Sequence, residues 1–382
     1  MLAMGCRRPL GGWQYGLARL MPDGTFDPSF GVEGVAIEPP LSEETLQGAQ
    51  PLPMAGGATV LVLRSMDSQT WMLTRRNAKG VLDDAFGIGG YVNLDGIRPP
   101  GEPRVVKGFV IAESDDGCFF IGTTKAVEGG LGGIVFCFDA QGKLDPTFAG
   151  KGYALVDVPL GESGRVTDAL LQDDGKVVLS TATVSGNARI VRLLRSGVPD
   201  PAFGDAGHVV IDGSDSADRI EIEKLAWSND AGLWGAGSIM TRRPRVGVLV
   251  RLDDKGTIPP SFNGGKSLEI NYGKTDDDDG GLALPLHIAI SAEAGVTVVG
   301  SADHDGTSIK RVVVGRHVSS GELDSSFGDR DGYFVIEPDL EGFNFIFFGI
   351  DVTNDYLVFE MLSGNGVGGT NPDRVLVQRY FA

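Results

Sequence analysis

The stretch "DGTFDPSFGVEGVAIEP" (Asp23 to Pro39) returns five more times, and this recurrence restricts the fold more than any other feature of the chain. Aligned on its central Phe, it comes back as "KGVLDDAFGIGGYVNLD" (Phe86), "QGKLDPTFAGKGYALVD" (Phe148) and "SGVPDPAFGDAGHVVID" (Phe203). Two looser copies follow, "KGTIPPSFNGGKSLEI" (Phe262) and "SGELDSSFGDRDGYFVIEP" (Phe327). Counted from Phe30, the steps are 56, 62, 55, 59 and 65 residues. Self-similarity at a near-constant period means one supersecondary unit built repeatedly.

Each copy follows a strand-like run: "YGLARL" (15–20), "WMLTRR" (71–76), "IVFCFD" (134–139), "IVRLLR" (190–195), "VLVRLD" (248–253) and "VVVGRH" (312–317). A seventh such run, "VLVQRY" (375–380), carries no motif after it in this sequence. Three more strand candidates separate most motifs from the next run, as in "GYALVDV", "RVTDALLQ" and "KVVLSTATV". Pairs such as "DDGK" (173–176) and "DDGC" (115–118) read as hairpin turns between them. Four short strands per unit with no helical period predict an all-β chain, a β-propeller of four-stranded blades forming one domain over 1–382. Seven equivalent strands favour seven positions: six complete repeats and a partial one closed by the two termini. Six blades is the alternative.

Arg-Leu, then Asp-Gly, then Leu-Asp-x-x-Phe-Gly-x-x-Gly at this spacing resembles the delta-60 repeat, from Leu17 to Arg379. The first four copies match it well and the last two more weakly. The resemblance implies a propeller-like repeat fold and no particular activity.

The motif has a physical reading of its own. Gly24, Gly80, Gly142, Gly197, Gly256 and Gly321 stand where a strand-ending turn needs positive φ. Asp27, Asp83, Asp145, Asp200 and Asp324 are placed to cap backbone N–H groups of the next turn. The Phe should plug the core between neighbouring blades. Calcium is a poor alternative, because it wants six to eight oxygens and each copy offers one regular Asp. Copy five loses even that, reading Pro259-Pro260. A turn tolerates the loss where a ligand set would not.

Charge and composition narrow the function classes. Thirty-three Lys and Arg against 51 Asp and Glu leave a net charge of −18, which opposes direct binding to nucleic acid. The 57 glycines follow no collagen period and suit many tight turns. Cys6, Cys118 and Cys137 are too scattered for a zinc site or a disulfide framework. No apolar run reaches membrane-spanning length and no signal h-region is visible, so a cytoplasmic place is expected. The four histidines show no zinc-enzyme spacing, and His208 and His317 occupy positions held elsewhere by Tyr, Val or Asp, which marks them as incidental. No nucleophile elbow or phosphate-binding loop occurs. Catalytic residues, metal and cofactor are therefore all expected to be absent.

The distinctive residues fall between the motif copies. "NYGKTDDDDGG" places Asp276, Asp277, Asp278 and Asp279 in a row. "DGSDSADRIEIE" contributes Asp212, Asp215 and Asp218, and "ADHDGTS" contributes Asp303 and Asp305. Such runs are commonly solvated loop tips, and here they are also the candidate partner-binding surface. The leading expectation is a non-catalytic propeller that engages a basic protein partner through this acidic rim. A bacterial immunity protein that neutralises a toxin such as a nuclease would fit, with fast, salt-sensitive capture. The alternatives are a metal-dependent propeller enzyme of lactonase or lyase type, and a cell-surface adhesion or glycan-binding module.

Overall fold

The computed structural model describes residues 2–7, 13–21, 23–37, 46–65, 71–94, 96, 105–113, 117–127, 130–156, 164–183, 187–212, 218–241, 246–270, 272, 282–290, 295–302, 311–328, 331–336, 344–352, 356–364 and 374–381. Among them, seven antiparallel sheets follow one another in chain order. The first holds β1 (Leu2–Arg7), β2 (Trp13–Ala18) and β3 (Val35–Ile37). The second holds β4 (Leu46–Pro53), β5 (Thr59–Ser65), β6 (Trp71–Arg76) and β7 (Tyr91–Asn93). The third is β8 (Val105–Glu113), β9 (Phe119–Val127), β10 (Gly130–Phe138) and β11 (Tyr153–Val156). The fourth is β12 (Gly164–Leu171), β13 (Val177–Thr183), β14 (Ala188–Leu193) and β15 (His208–Ile211). The fifth is β16 (Ile220–Ser228), β17 (Gly232–Ile239), β18 (Val246–Leu252) and β19 (Leu268–Ile270). The sixth is β20 (Leu282–Ile290), β21 (Val296–Ala302), β22 (Arg311–His317) and β23 (Tyr333–Ile336). The seventh holds β24 (Asn344–Val352), β25 (Tyr356–Gly364) and β26 (Arg374–Phe381). These are the blades of a multi-bladed β-propeller, and the expected all-β class with seven positions is what is found. Contacts divide the chain into two compact units, 1–165 with 195–198 and 166–194 with 199–382.

Among the described residues, β1–β3 form one three-stranded sheet and β24–β26 another. The motif lies inside a blade, between the third strand and the short fourth. In the third sheet it joins β10 to β11, which pair through Phe136 and Tyr153. A blade boundary therefore falls after the short strand.

The motif ties consecutive sheets together. Its turn glycines have φ between 77° and 93°. The aspartate caps form as expected, with Asp27 accepting from the Ser29 N–H at 2.9 Å and Asp200 from the Ala202 N–H at 3.0 Å. Phe30, Phe86, Phe148, Phe203, Phe262 and Phe327 are all buried. The turn of each following motif sits on the preceding Phe. A Cβ added at Gly80, Gly142, Gly197, Gly256 or Gly321 would come within 2.8 to 3.1 Å of that ring. Beside this contact, the N–H after each Phe donates to the carbonyl before the next turn glycine. The pairs are Gly31 to Lys79, Gly87 to Gln141, Ala149 to Ser196, Gly204 to Lys255 and Asn263 to Ser320, at 2.7 to 3.0 Å.

An arginine completes the device. Arg19, Arg75, Arg192 and Arg316 each donate from Nε to the motif Asp eight residues on, at 2.7 to 2.9 Å. Their guanidinium carbons lie 4.3 to 4.9 Å from the Phe ring centroids, within cation–π range. Copy three has Cys137 at the arginine position, and copy five keeps Arg251 but has Pro259 for the Asp. Arg251 instead donates to the carbonyls of Ala231 at 2.9 Å and Ser319 at 3.0 Å.

The core lies between successive sheets. Leu17, Phe30 and Ala36 of the first sheet meet Leu61 and Leu63 of the second. Trp234 and Phe262 of the fifth pack with Val296 and Val298 of the sixth. First strands are irregular: β4, β8, β16, β20 and β24 all carry register shifts against their neighbours. Bulges of this kind re-aim side chains at sheet edges.

Candidate functional site between the fourth and fifth sheets

Seven of the nine acidic residues expected to face a partner, Asp276, Asp277, Asp278, Asp279, Asp215, Asp303 and Asp305, lie outside the described residues. Asp212 is exposed just after β15, and its carbonyl accepts from Ser267 Oγ at 3.5 Å. Asp218 lies at the entry to β16 and is 9% exposed.

The most unusual acidic group is one the sequence reading passed over. β12 and β16 run as first strands of adjoining sheets, and β16 bulges where its register shifts between Ile222 and Lys224. Two consecutive residues of β12 meet that break. Thr167 Oγ1 donates to the Ile222 carbonyl at 2.5 Å, and Asp168 Oδ2 accepts from the Leu225 N–H at 2.8 Å. Ser180 Oγ stands 2.8 Å from Thr167 Oγ1. A bulge disrupts the regular ladder, and here side chains of the neighbouring sheet bond the backbone on either side of it.

Burial sets the electrostatics of this boundary. Loss of water pushes the Asp168 carboxyl up to about 6, against the pull of Lys224 and the N–H groups of Leu225 and Ala169. The same strand β16 also carries Glu221, 2% exposed, paired with Arg219 at 3.1 Å. At the hairpin tips, Asn229 Nδ2 donates to Asp173 Oδ2 at 2.5 Å. Asp168 can thus hold a proton near neutrality. At 8% exposure, with Oδ2 taken up by a backbone N–H, its first role is to join two sheets.

A signal for Asp168 was present in the repeat. It stands seven residues before the hairpin Gly175 (175 − 168 = 7), and the matching position before Gly232 (232 − 225 = 7) is Leu225. A carboxylate where the next sheet carries Leu is a departure that motif-centred alignment does not reach.

His317 also departs from expectation. It is 2% exposed, its Nε2 pairs with the buried Tyr272 hydroxyl, and its Nδ1 lies 2.8 Å from the Gly321 carbonyl. With Nδ1–H donating to the carbonyl and Nε2 accepting from Tyr272, the ring is a neutral core member. Burial holds its pKa below the ordinary value, against the pull of the Gly321 carbonyl. Among the described residues no group of three or more His, Cys, Asp or Glu is arranged to hold a metal. No helix among them is long and apolar enough to cross a membrane.

Comparisons with known proteins agree with the fold. The profile of a family described as "Domain of unknown function (DUF5122) beta-propeller" matches residues 10–30 and 172–203. No curated protein matches the sequence. Among solved structures, the polysaccharide lyase Uly1 is similar over 99% of this chain and 87% of its own, with a TM-score of 0.55 and 11% identity. The GH93 α-L-arabinofuranosidase of Fusarium graminearum, solved with arabinobiose, is similar over 91% of this chain and 96% of its own, with a TM-score of 0.52 and 10% identity. The expectation of a toxin-neutralising immunity protein is corrected by these likenesses, since the two structures similar over more than nine-tenths of this chain are a polysaccharide lyase and an arabinofuranosidase.

Proposed function

We propose that this chain is a carbohydrate-directed propeller that binds a glycan without transforming it. The observation that carries the reading is the likeness, over more than nine-tenths of the chain, to a polysaccharide lyase and an arabinofuranosidase. Binding rather than turnover is supported by the commitments of the regular carboxylates. Asp27, Asp83, Asp200 and Asp324 are each held by an arginine, and Asp168 by a backbone N–H. A net charge of −18 repels polyanionic chains and so favours neutral glycans. Membership of the delta-60 repeat family is part of the same reading, supported by the motif and its spacing.

A second reading, glycan cleavage, is favoured by Asp168, whose carboxyl titrates at about 6, in the range of a general acid. Affinity electrophoresis of the whole chain through gels containing neutral or uronate-rich polysaccharides tests both. Retardation by a neutral glycan with no new reducing ends or unsaturated products is the expected result. Migration unaffected by every polysaccharide sinks the proposal, and product release replaces it with the second reading.

A further inference from the structure

Where β12 and β16 approach their hairpin tips, two buried polar atoms have no hydrogen-bond partner among the described residues, Gln172 Oε1 and Trp227 Nε1. Gln172 is 4% exposed. Its N–H continues the ladder by donating to the Lys176 carbonyl at 2.8 Å, so its side chain shares one face of the strand with Leu170 and Asp168. That face meets β16. Asp168 accepts from the Leu225 N–H, and Leu170 and Trp227 pack on one cluster with Val178, Leu225 and Leu233. Beyond them Asn229 bonds Asp173 across the tips at 2.5 Å. The amide and the indole thus stand on facing strands of one boundary. Packing alone does not call for an amide here. In the second sheet Met54 makes the same turn bonds, donating to the Ala58 carbonyl and accepting from the Gly57 N–H, and packs against an apolar core.

We propose that Gln172 and Trp227 form a subsite for a hydroxyl group of a neutral sugar, a proposal that rests on the glycan-binding reading above. The amide oxygen only accepts and the indole N–H only donates. A hydroxyl serves both, accepting from Trp227 Nε1 and donating to Gln172 Oε1. Buried polar groups are costly to leave without partners, so the pair is set to favour a ligand that supplies both bonds at once. Entry is from the hairpin tips, where Asn229 and Asp173 are exposed. Asp173, Asp174 and Asp230 stand exposed on the same two tips and disfavour an anionic sugar there.

Affinity electrophoresis of the full chain through gels of arabinan, dextran or galactan tests this against two variants. Trp227→Phe keeps a ring and removes the N–H, and Gln172→Met installs the residue that the second sheet carries. Retardation of the unaltered chain by one of these polysaccharides is expected, with each variant binding it about fivefold more weakly, as loss of one hydrogen bond implies. In parallel, the Trp227 indole N–H resonance, identified by its absence from the spectrum of Trp227→Phe, should shift when oligosaccharides of that polysaccharide are added. Equal retardation of both variants, or an indole resonance unmoved by the bound sugar, overturns the subsite and leaves the glycan reading standing. Migration of the unaltered chain unaffected by all three gels overturns that reading and the subsite with it.

Discussion

Arg192 and Asp200 meet at 2.8 Å with side chains only 6% and 4% exposed, the most deeply buried of the four motif ion pairs. Arg192 is fixed by three things at once: Asp200, the Phe203 ring 4.3 Å below it, and the Asp254 carbonyl of the following motif at 2.7 Å. Removing either charge leaves the other buried without a counter-ion. Breaking such a pair typically costs about 3–5 kcal/mol.

Asp200→Ala should therefore destabilise the chain by about 3–5 kcal/mol, and Asp27→Ala by clearly less, since Arg19 and Asp27 are 24% and 15% exposed and better screened. Chemical denaturation of both variants checks this. Equal losses would show that depth of burial does not set the worth of the motif pair.

Gly142→Ala and Gly150→Ala separate strain from crowding. Both glycines have positive φ, 78° and 70°, and each alanine carries a left-handed penalty of about 1 kcal/mol. A Cβ at Gly150 meets nothing within 4 Å, while one at Gly142 approaches Phe86 to 2.8 Å. Gly142→Ala should lose about 1–3 kcal/mol more, read from the difference in thermal midpoints.

Asp168 makes stability depend on pH in a direction unusual for a carboxylate. Its pKa rises from 3.8 to about 6 on folding, so the folded chain holds a proton that the unfolded chain has released. Stability is greatest below pH 3.8 for this group and falls as pH rises to about 6. The loss is about 3 kcal/mol, from roughly 2 pKa units at 1.36 kcal/mol each. Asp168→Asn keeps an acceptor for Leu225 and should raise the melting temperature at pH 7.5 while changing little near pH 4. A lower melting temperature at pH 7.5 would show that the ionised form is the one the fold prefers.

His317 pulls the other way. Burial lowers its pKa below 6.5, so the stability due to its neutral ring is complete above pH 6.5. It is lost as pH falls through the lowered folded value. Its imidazole resonances should stay in the neutral form at pH 6.5, whereas a free imidazole would be half protonated there. NMR titration of the ring protons decides this.

The sequence by itself determined the unit and its local chemistry. Turn glycines, aspartate caps and the buried Phe are set by residues within about ten positions of one another, and the near-constant step showed that one blade was being rebuilt. The tertiary structure decided what those units do to each other. Arg192 reaches Asp254, and Gly87 reaches the Gln141 carbonyl, across separations at which nothing in the spacing of residues marks a contact. It also fixed the phase of the blade, with the motif between the third strand and the short fourth. Asp168 belongs to the same class. In sequence it is one acid among 51 Asp and Glu, and only the packing of β12 against the bulge of β16 strips its water and makes it distinct. Local hydrogen bonding follows from near neighbours in the chain, whereas desolvation and sheet-to-sheet contact depend on which distant segments share a boundary.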